Sequence, residues 1–152
     1  MNDIIVKIVA GVLSSFGFAI LFRLKPSRWI YASLDGLVAC VLYFAFIDLF
    51  DTPLLPNAVA AFGAAIFADI FARIAKAPAT VFLLPGCIAL VPGGTLYYTM
   101  SNLLAENNEA AVECFLTTLS VGIGIGGGVI AASLLRYIVL SIMKKINNRK
   151  IN

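Results

Sequence analysis

Long apolar runs separated by short polar turns dominate the sequence. A helix needs about 20 mostly apolar residues to cross the hydrocarbon core of a bilayer, and five runs approach or exceed that length. The predicted spans cover residues 4–22, 29–50, 57–74, 79–104 and 115 to at least 137. We therefore predict an all-α, polytopic membrane helix bundle with five transmembrane helices, forming a single integral membrane domain over residues 1–152.

The fourth run differs from the others because Pro85-Gly86 and Pro92-Gly93-Gly94 interrupt it. Proline removes a backbone donor and clashes with the preceding helical turn. In hydrocarbon such a break persists only where protein or water satisfies the freed backbone groups. Many transporters build their substrate sites from broken spans near the bilayer midplane. We predict a broken fourth span, with the break at Pro92 close to halfway across.

The charged residues concentrate near the turns and report the orientation of the chain. Only 12% of the 152 residues are charged and 61% are hydrophobic, whereas a soluble domain carries about 25% charged residues. Basic residues cluster after the first, third and fifth spans, and acidic residues after the second and fourth. By the positive-inside rule the N-terminus lies outside and the C-terminus in the cytoplasm. The net charge of +3 thus reflects topology, and we predict no nucleic-acid partner.

The residue types that carry most enzyme chemistry are scarce. Histidine is absent, and the three cysteines lie in apolar runs without the spacing of metal ligands. We predict that Cys40, Cys87 and Cys114 are buried free thiols. No nucleophile–base pair or phosphate-binding loop is evident in the sequence. We therefore predict no enzyme activity, no metal site and no cofactor.

The fifth run is rich in glycine. Gly122, Gly124 and Gly127 match the spacing of a dinucleotide-binding fingerprint, but no strand–helix–strand context surrounds them. The pairs Gly122/Gly126 and Gly124/Gly128 instead form two small-residue faces at four-residue spacing. We predict close helix packing at these faces, including contact between subunits.

The break in the fourth run is the candidate substrate site. A half-helix starting near Thr95 exposes unpaired N–H groups and a partial positive charge, which bind carboxylates. Glycine at positions 93 and 94 lets a ligand approach the bare backbone, and Thr95, Tyr98 and Asn102 share one helix face. The predicted binding residues are Pro92, Gly93, Gly94, Thr95, Tyr98 and Asn102. The alternative is a proline kink that only packs against neighbouring helices.

Two aspartates lie inside predicted spans, where a carboxylate costs about 2.5–3.5 kcal/mol on insertion scales. Because the chain has no histidine, Asp35 and Asp69 are the candidate proton carriers for coupling transport to a proton gradient. The alternative for Asp69 is an ion pair with Arg73, one turn later. The alternative for Asp35 is an interfacial carboxylate near Lys25 or Arg28.

Several segments resemble the threonine/serine exporter family, and specifically its short subunit, which corresponds to the C-terminal half of longer members. They are KAPATVF (76–82), VPGG (91–94), YYTM (97–100) and GFAILF (17–22). The resemblance implies a polytopic inner-membrane exporter that works with a larger partner subunit. It also implies substrates such as threonine and serine, or dicarboxylates such as succinate.

The residues and the resemblance together predict a subunit of an inner-membrane exporter of small carboxylate-bearing metabolites. Five spans make a small enclosure, so we expect a larger membrane partner, a homo-oligomer, or both, within the lipid bilayer. Two alternatives stay open. One is an oligomeric passive channel whose broken segment forms a filter, and the other is a non-transporting scaffold that stabilises a larger partner.

Overall fold

Six α-helices joined by short turns make up the protein in a computed structural model, which describes residues 2–151 and the side chains of 3–143 and Lys145. The helices are α1 (Asn2–Leu21), α2 (Trp29–Phe46), α3 (Leu54–Ile74), α4 (Thr80–Cys87), α5 (Gly93–Leu104) and α6 (Asn108–Ile151). Single 3-10 turns follow or precede them at Pro26–Arg28, Ile47–Leu49 and Ile88–Leu90. The described chain is 87% helical and contains no strand, which confirms the predicted all-α class.

Four helical segments are long and apolar enough to cross a membrane: Asp3–Leu21, Pro26–Leu49, Leu54–Ile74 and Asn108–Met143. The segments Thr80–Leu90 and Gly93–Leu104 pass the same test as a pair and are bent by 52° at their junction. Large apolar side chains on every span face outward, where lipid or another protein would contact them. The chain is therefore a multi-pass membrane protein with four or five spans, as the hydropathy pattern predicts.

Small side chains fill the centre of the bundle. Ala60, Ala64 and Ala68 lie on one face of α3 and are fully buried against α2 and α4. Alanine at this spacing lets helix backbones approach closely, which drives packing inside a membrane. Phe82 of α4 is the largest fully buried side chain among the described residues, and it closes one end of the core.

One of the two predicted glycine faces packs inside the chain. A Cβ atom at Gly124 would overlap the carbonyl of Leu54, and one at Gly128 would overlap the carbonyl of Ala58. Glycine is required at both positions because the backbones of α3 and α6 touch there. Nothing among the described atoms lies within 4 Å of a Cβ built at Gly122 or Gly126, so the second face points away from this contact.

Helix boundaries differ from the prediction at the start of the fifth span. The acidic stretch between the fourth and fifth predicted spans, residues 105–114, is helical from Asn108 onward. The Asn107 side chain accepts a hydrogen bond from the Ala110 amide at 3.4 Å, and Glu109 lies in the first turn. Asparagine before a helix and acid in its first turn both stabilise a helix N-terminus. Asn108, Glu109 and Glu113 therefore belong to the first turns of α6, whereas Glu106 and Asn107 precede it.

Candidate functional site

The chain unwinds at Val91 and Pro92, between the two parts of the bent pair. A 3-10 turn at Ile88–Leu90 follows α4, Val91 is extended, and Pro92 precedes the first residue of α5. The new helix starts at Gly93, two residues earlier than predicted. A proline placed just before the first helical turn costs no hydrogen bond, because the amides of that turn have no partner within the helix.

The first amides of α5 are only partly paired. The Gly93 amide donates to the Val91 carbonyl at 2.8 Å, and the Leu96 amide donates to the Pro92 carbonyl at 3.1 Å. The amides of Gly94 and Thr95 have no backbone acceptor among the described residues. Two adjacent unpaired N–H groups at a helix start form an anion-binding arrangement.

These amides border a cavity of about 330 Å³. Its polar lining side chains are Tyr43 of α2, Asn57 of α3, Thr95 of α5 and Thr117 of α6. The remaining lining residues are Pro53, Ala89, Leu90, Val91, Pro92, Gly93, Gly94 and Val121. Four helices thus contribute to one concave space in which bare amides, hydroxyls and an amide side chain meet.

Along the sequence the break divides the fourth span almost equally, between Thr80–Leu90 and Gly93–Leu104, as predicted, but within the bundle the cavity does not lie beside the middle of α3. Pro53 and Asn57 lie at the N-terminal end of α3, and they line the same cavity as Pro92. The break therefore lies beside the first turn of α3 and not beside its middle. Beyond the break, α5 packs mainly on the first part of α6 and forms a hairpin with it.

The structure brings four of the six predicted binding residues together and leaves two apart. Pro92, Gly93, Gly94 and Thr95 all line the cavity, whereas Tyr98 and Asn102 do not. A Cβ atom at either glycine would have nothing within 4 Å among the described atoms, so the backbone is open to a ligand there.

Tyr98 lies on the outer surface of α5, and Asn102 lies within the α5–α6 hairpin. The side chain of Tyr98 is exposed, and Asn102 faces Cys114 of α6, with 4.0 Å between Nδ2 and the sulfur. The face that α5 turns toward α6 carries Thr95 and Thr99, and the Thr118 hydroxyl lies 2.8 Å from the Thr95 hydroxyl. The helix is rotated so that Thr99, and not Tyr98, is the buried residue of that turn.

Asp35 of α2 is fully buried, and its carboxylate lies against α4. Neither carboxylate oxygen has a hydrogen-bond partner among the described residues. A Cβ atom at Gly86 would overlap Oδ2 of Asp35, so glycine in α4 is what makes room for the carboxylate. The alternative of an interfacial carboxylate beside Lys25 or Arg28 is wrong, because Asp35 is enclosed by the bundle and pairs with neither.

Asp69 pairs across helices and not along its own helix. Arg136 of α6 donates to Oδ1 of Asp69 at 2.6 Å. The predicted alternative of a pair with Arg73 is therefore wrong in its partner, although an ion pair does form. The small residues of the α3–α6 contact bring the two helices close together, so Arg136 of α6 pairs with Asp69 in place of Arg73.

The cysteines have no partners for metal or redox chemistry in the described part of the chain. All three are free thiols, but the prediction that all are buried is correct only for Cys40, since Cys87 and Cys114 are half-buried. No group of three or more potential metal ligands occurs among the described residues.

Three polar residues of the cavity were not predicted from the sequence. Asn57 reads as the start of the third span, and Tyr43 and Thr117 read as ordinary span residues. Asn57 is buried, and its Nδ2 donates to the Pro53 carbonyl at 2.7 Å. The sequence signal that could have indicated Asn57 is a polar residue directly after Pro-x-x-Pro at a helix start.

A multi-pass α-helical bundle with a broken span and a polar cavity at the break has the architecture of a membrane transport protein. A sequence model of the family described as Threonine/Serine exporter, ThrE, matches residues 7–135 of the chain. The chain therefore belongs to the threonine/serine exporter family, as the proline-glycine segment indicated, and its role is transport of the exporter type. No curated protein and no solved structure matches the chain.

Proposed function

We propose that the protein is a subunit of an inner-membrane exporter that moves threonine, serine or a small dicarboxylate such as succinate out of the cell. The substrate carboxylate binds at the start of α5, in the cavity beside Pro92. The observation that carries this proposal is the pair of unpaired amides of Gly94 and Thr95 at the edge of a polar cavity.

The cavity matches the chemistry of a small hydroxy-amino acid. Bare amides at a helix N-terminus favour the carboxylate by charge and by hydrogen bonding. Asn57 and Tyr43 also line the cavity and carry groups that donate to or accept from a hydroxyl or amine. The Thr117 hydroxyl donates to the Glu113 carbonyl at 3.0 Å, which leaves its oxygen as an acceptor.

Between the two candidate proton carriers, the proposal assigns coupling to Asp35. Asp69 already has a cationic partner in Arg136, whereas the carboxylate of Asp35 has neither a cation nor a donor among the described residues. A buried carboxylate in that situation is neutral or exchanges a proton with its surroundings. Proton binding and release at Asp35 would then alter how α2 packs against Gly86 of α4.

A larger partner subunit completes the proposed exporter. The side chains of Leu96, Tyr97, Met100 and Leu104 leave α5 with a broad exposed apolar face. The four helices of this chain bound the cavity only in part, and in the proposed exporter the second protein encloses the substrate there. In the orientation that the charges predict, this cavity lies toward the outer side and Asp35 toward the cytoplasm.

The experiment is an efflux assay in cells that contain this chain alone, the larger subunit alone, or both. Gly94→Leu is the decisive variant, because Gly94 lines the cavity and nothing described lies within 4 Å of the new Cβ. We expect it to abolish efflux while membrane insertion stays normal. Gly17→Leu is the matched control, since Gly17 also has open space around it but lies on α1, away from the cavity.

Three results would contradict the proposal in different ways. Full efflux by Gly94→Leu would show that the cavity does not carry substrate. Full transport by the larger subunit alone would favour the scaffold role. Flux that ignores the proton gradient would favour a passive channel.

A further inference from the structure

A second, mostly apolar groove lies between α3 and α6, away from the cavity at the break. It has a volume of about 440 Å³, and aliphatic side chains such as Ile66, Ile70 and Leu135 form its walls. Three charged residues also line it, namely Asp69, Arg73 and Arg136. We call it the α3–α6 groove. Nothing in the proposed transport cycle uses it.

Among the described residues that line it, the α3–α6 groove carries one positive charge in excess. Asp69 neutralises Arg136, with 2.6 Å between them. Arg73 lies one turn beyond Asp69 on the same helix face and is exposed at the groove. Among the described side chains, no carboxylate forms an ion pair with Arg73. The charge that complements this groove is therefore an anion beside the Arg73 guanidinium.

The excess charge lies at the level where lipid headgroups begin. Arg73 is in the last turn of α3, and Lys76 follows in the turn to α4. On α6 the apolar segment ends at Met143, which also lines the groove. An arginine near the end of a span extends its guanidinium toward the interface while its stem stays in apolar surroundings.

We propose that the α3–α6 groove binds an anionic phospholipid. The phosphate lies beside Arg73, and an acyl chain runs along Ile70 and Ile66 toward the bundle centre. A soluble anion would gain nothing from the aliphatic walls, and a zwitterionic lipid would gain less from the excess charge. Basic pockets between membrane helices are known to hold anionic headgroups for these two reasons.

The test uses the purified full chain in a neutral detergent and native mass spectrometry. Phosphatidylglycerol and phosphatidylcholine with identical acyl chains are titrated in parallel. We expect phosphatidylglycerol to bind about fivefold more tightly, which is the effect of one basic residue near a membrane surface. Arg73→Gln should remove this preference, and Arg73→Lys should retain most of it.

Lys76→Gln is the matched control, because it removes the same charge three residues away but outside the groove. It should keep the preference for phosphatidylglycerol, and thermal unfolding should show that both glutamine variants remain folded. Glycerophosphoglycerol, the headgroup without chains, should not compete. Equal binding of the two lipids, an equal loss in Arg73→Gln and Lys76→Gln, or competition by the soluble headgroup would each overturn the proposal. A lipid-free dimer that buries the groove would overturn it as well.

Discussion

Asp35 shows how single residues make room for a polar group inside the bundle. A carboxylate within a span is costly unless a partner or a task offsets it, and the described residues offer Asp35 no partner. Its neighbourhood nevertheless lacks bulk, since Gly86 stands against the carboxylate and Gly36 against the hydroxyl of Ser15. The Ser15 hydroxyl donates to the Gly11 carbonyl at 3.1 Å, so it is not available to the aspartate. Small residues therefore create the space around Asp35 without providing a hydrogen bond.

The Asp35→Asn variant tests whether this carboxylate couples efflux to protons. Asparagine has nearly the same shape, so we expect normal membrane insertion and stability. Efflux should lose its response to an imposed proton gradient, because the asparagine amide does not bind or release a proton in the pH range of the assay. The measurement is the efflux rate in vesicles with and without the gradient.

The control for Asp35→Asn is the double variant Asp69→Asn/Arg136→Gln. It removes the other carboxylate together with its partner, so no unpaired charge is left in the membrane. Its gradient response should persist. An unchanged gradient response in Asp35→Asn would remove Asp35 from the coupling mechanism.

At the same scale, candidate functional residues that interrupt a local sequence pattern could be identified from the sequence, whereas those that fit the pattern could not. Asp35 interrupts an apolar run, and Pro92-Gly93-Gly94 interrupts a helix, so both were visible without coordinates. Asn57 and Thr117 lie where polar residues are common, and they acquire a role only because α3 and α6 converge on the break. Whether distant helices converge depends on tertiary packing, and a local sequence pattern carries no information about it.

Among the elements, the pair of α3 and α6 depends most on individual glycines. A Cβ atom at Gly128 would overlap the Ala58 carbonyl and lie 2.9 Å from the Phe62 amide nitrogen. We expect Gly128→Ala to lower the free energy of unfolding by about 1–3 kcal/mol, as overpacking does in tight contacts. Thermal or denaturant unfolding in detergent measures the change.

Gly126→Ala serves as the matched variant, because it adds the same methyl group two residues away where nothing described lies within 4 Å. It should be neutral or stabilise the helix by about 0.5–1 kcal/mol, the usual gain from replacing a mid-helix glycine. Equal losses in both variants would mean that the second glycine face is also packed, against another subunit.

Helix ends were harder to predict than helices. Hydropathy located every span, but it cannot separate a polar loop from a polar first turn, and α6 therefore begins at Asn108 and not near residue 115. The rotation of α5 was missed for a related reason. Thr95, Tyr98 and Asn102 share a face in an ideal helix, but the threonine hydroxyls of α5 and α6 pair at 2.8 Å and set which side is buried.

On the scale of the whole molecule, the basic and acidic turns segregate to opposite ends of the bundle. Ala19, Ala32, Ala68 and Phe82 form one cluster, so the end of α1, the start of α2, the last part of α3 and the start of α4 lie together. The turns at this end carry the basic residues, including Lys25 and Lys76. The basic tail, residues 144–150, has its side chains outside the described residues except for Lys145.

The length of α6 adds a constraint on how the molecule sits in a membrane. Its 44 residues correspond to about 66 Å at 1.5 Å per residue, whereas the hydrocarbon core is about 30 Å thick. The helix must tilt strongly or extend past the bilayer. Because α5 packs mainly on the first part of α6, the depth of the α5–α6 hairpin and its cavity in the membrane depends on which end of α6 extends past the bilayer.

Cysteine labelling in intact cells decides the orientation, and with it the side from which the cavity is reached. In a background where Cys40, Cys87 and Cys114 are replaced by alanine, we expect Asp51→Cys to react with a membrane-impermeant maleimide. Lys25→Cys should react only after the cells are opened, because basic turns stay in the cytoplasm. Both positions lie in exposed turns, so a difference in labelling reflects the side of the membrane and not burial. The reverse pattern would put the cavity beside Pro92 on the cytoplasmic side, where the break would take up substrate, and Asp35 would then lie nearer the outside.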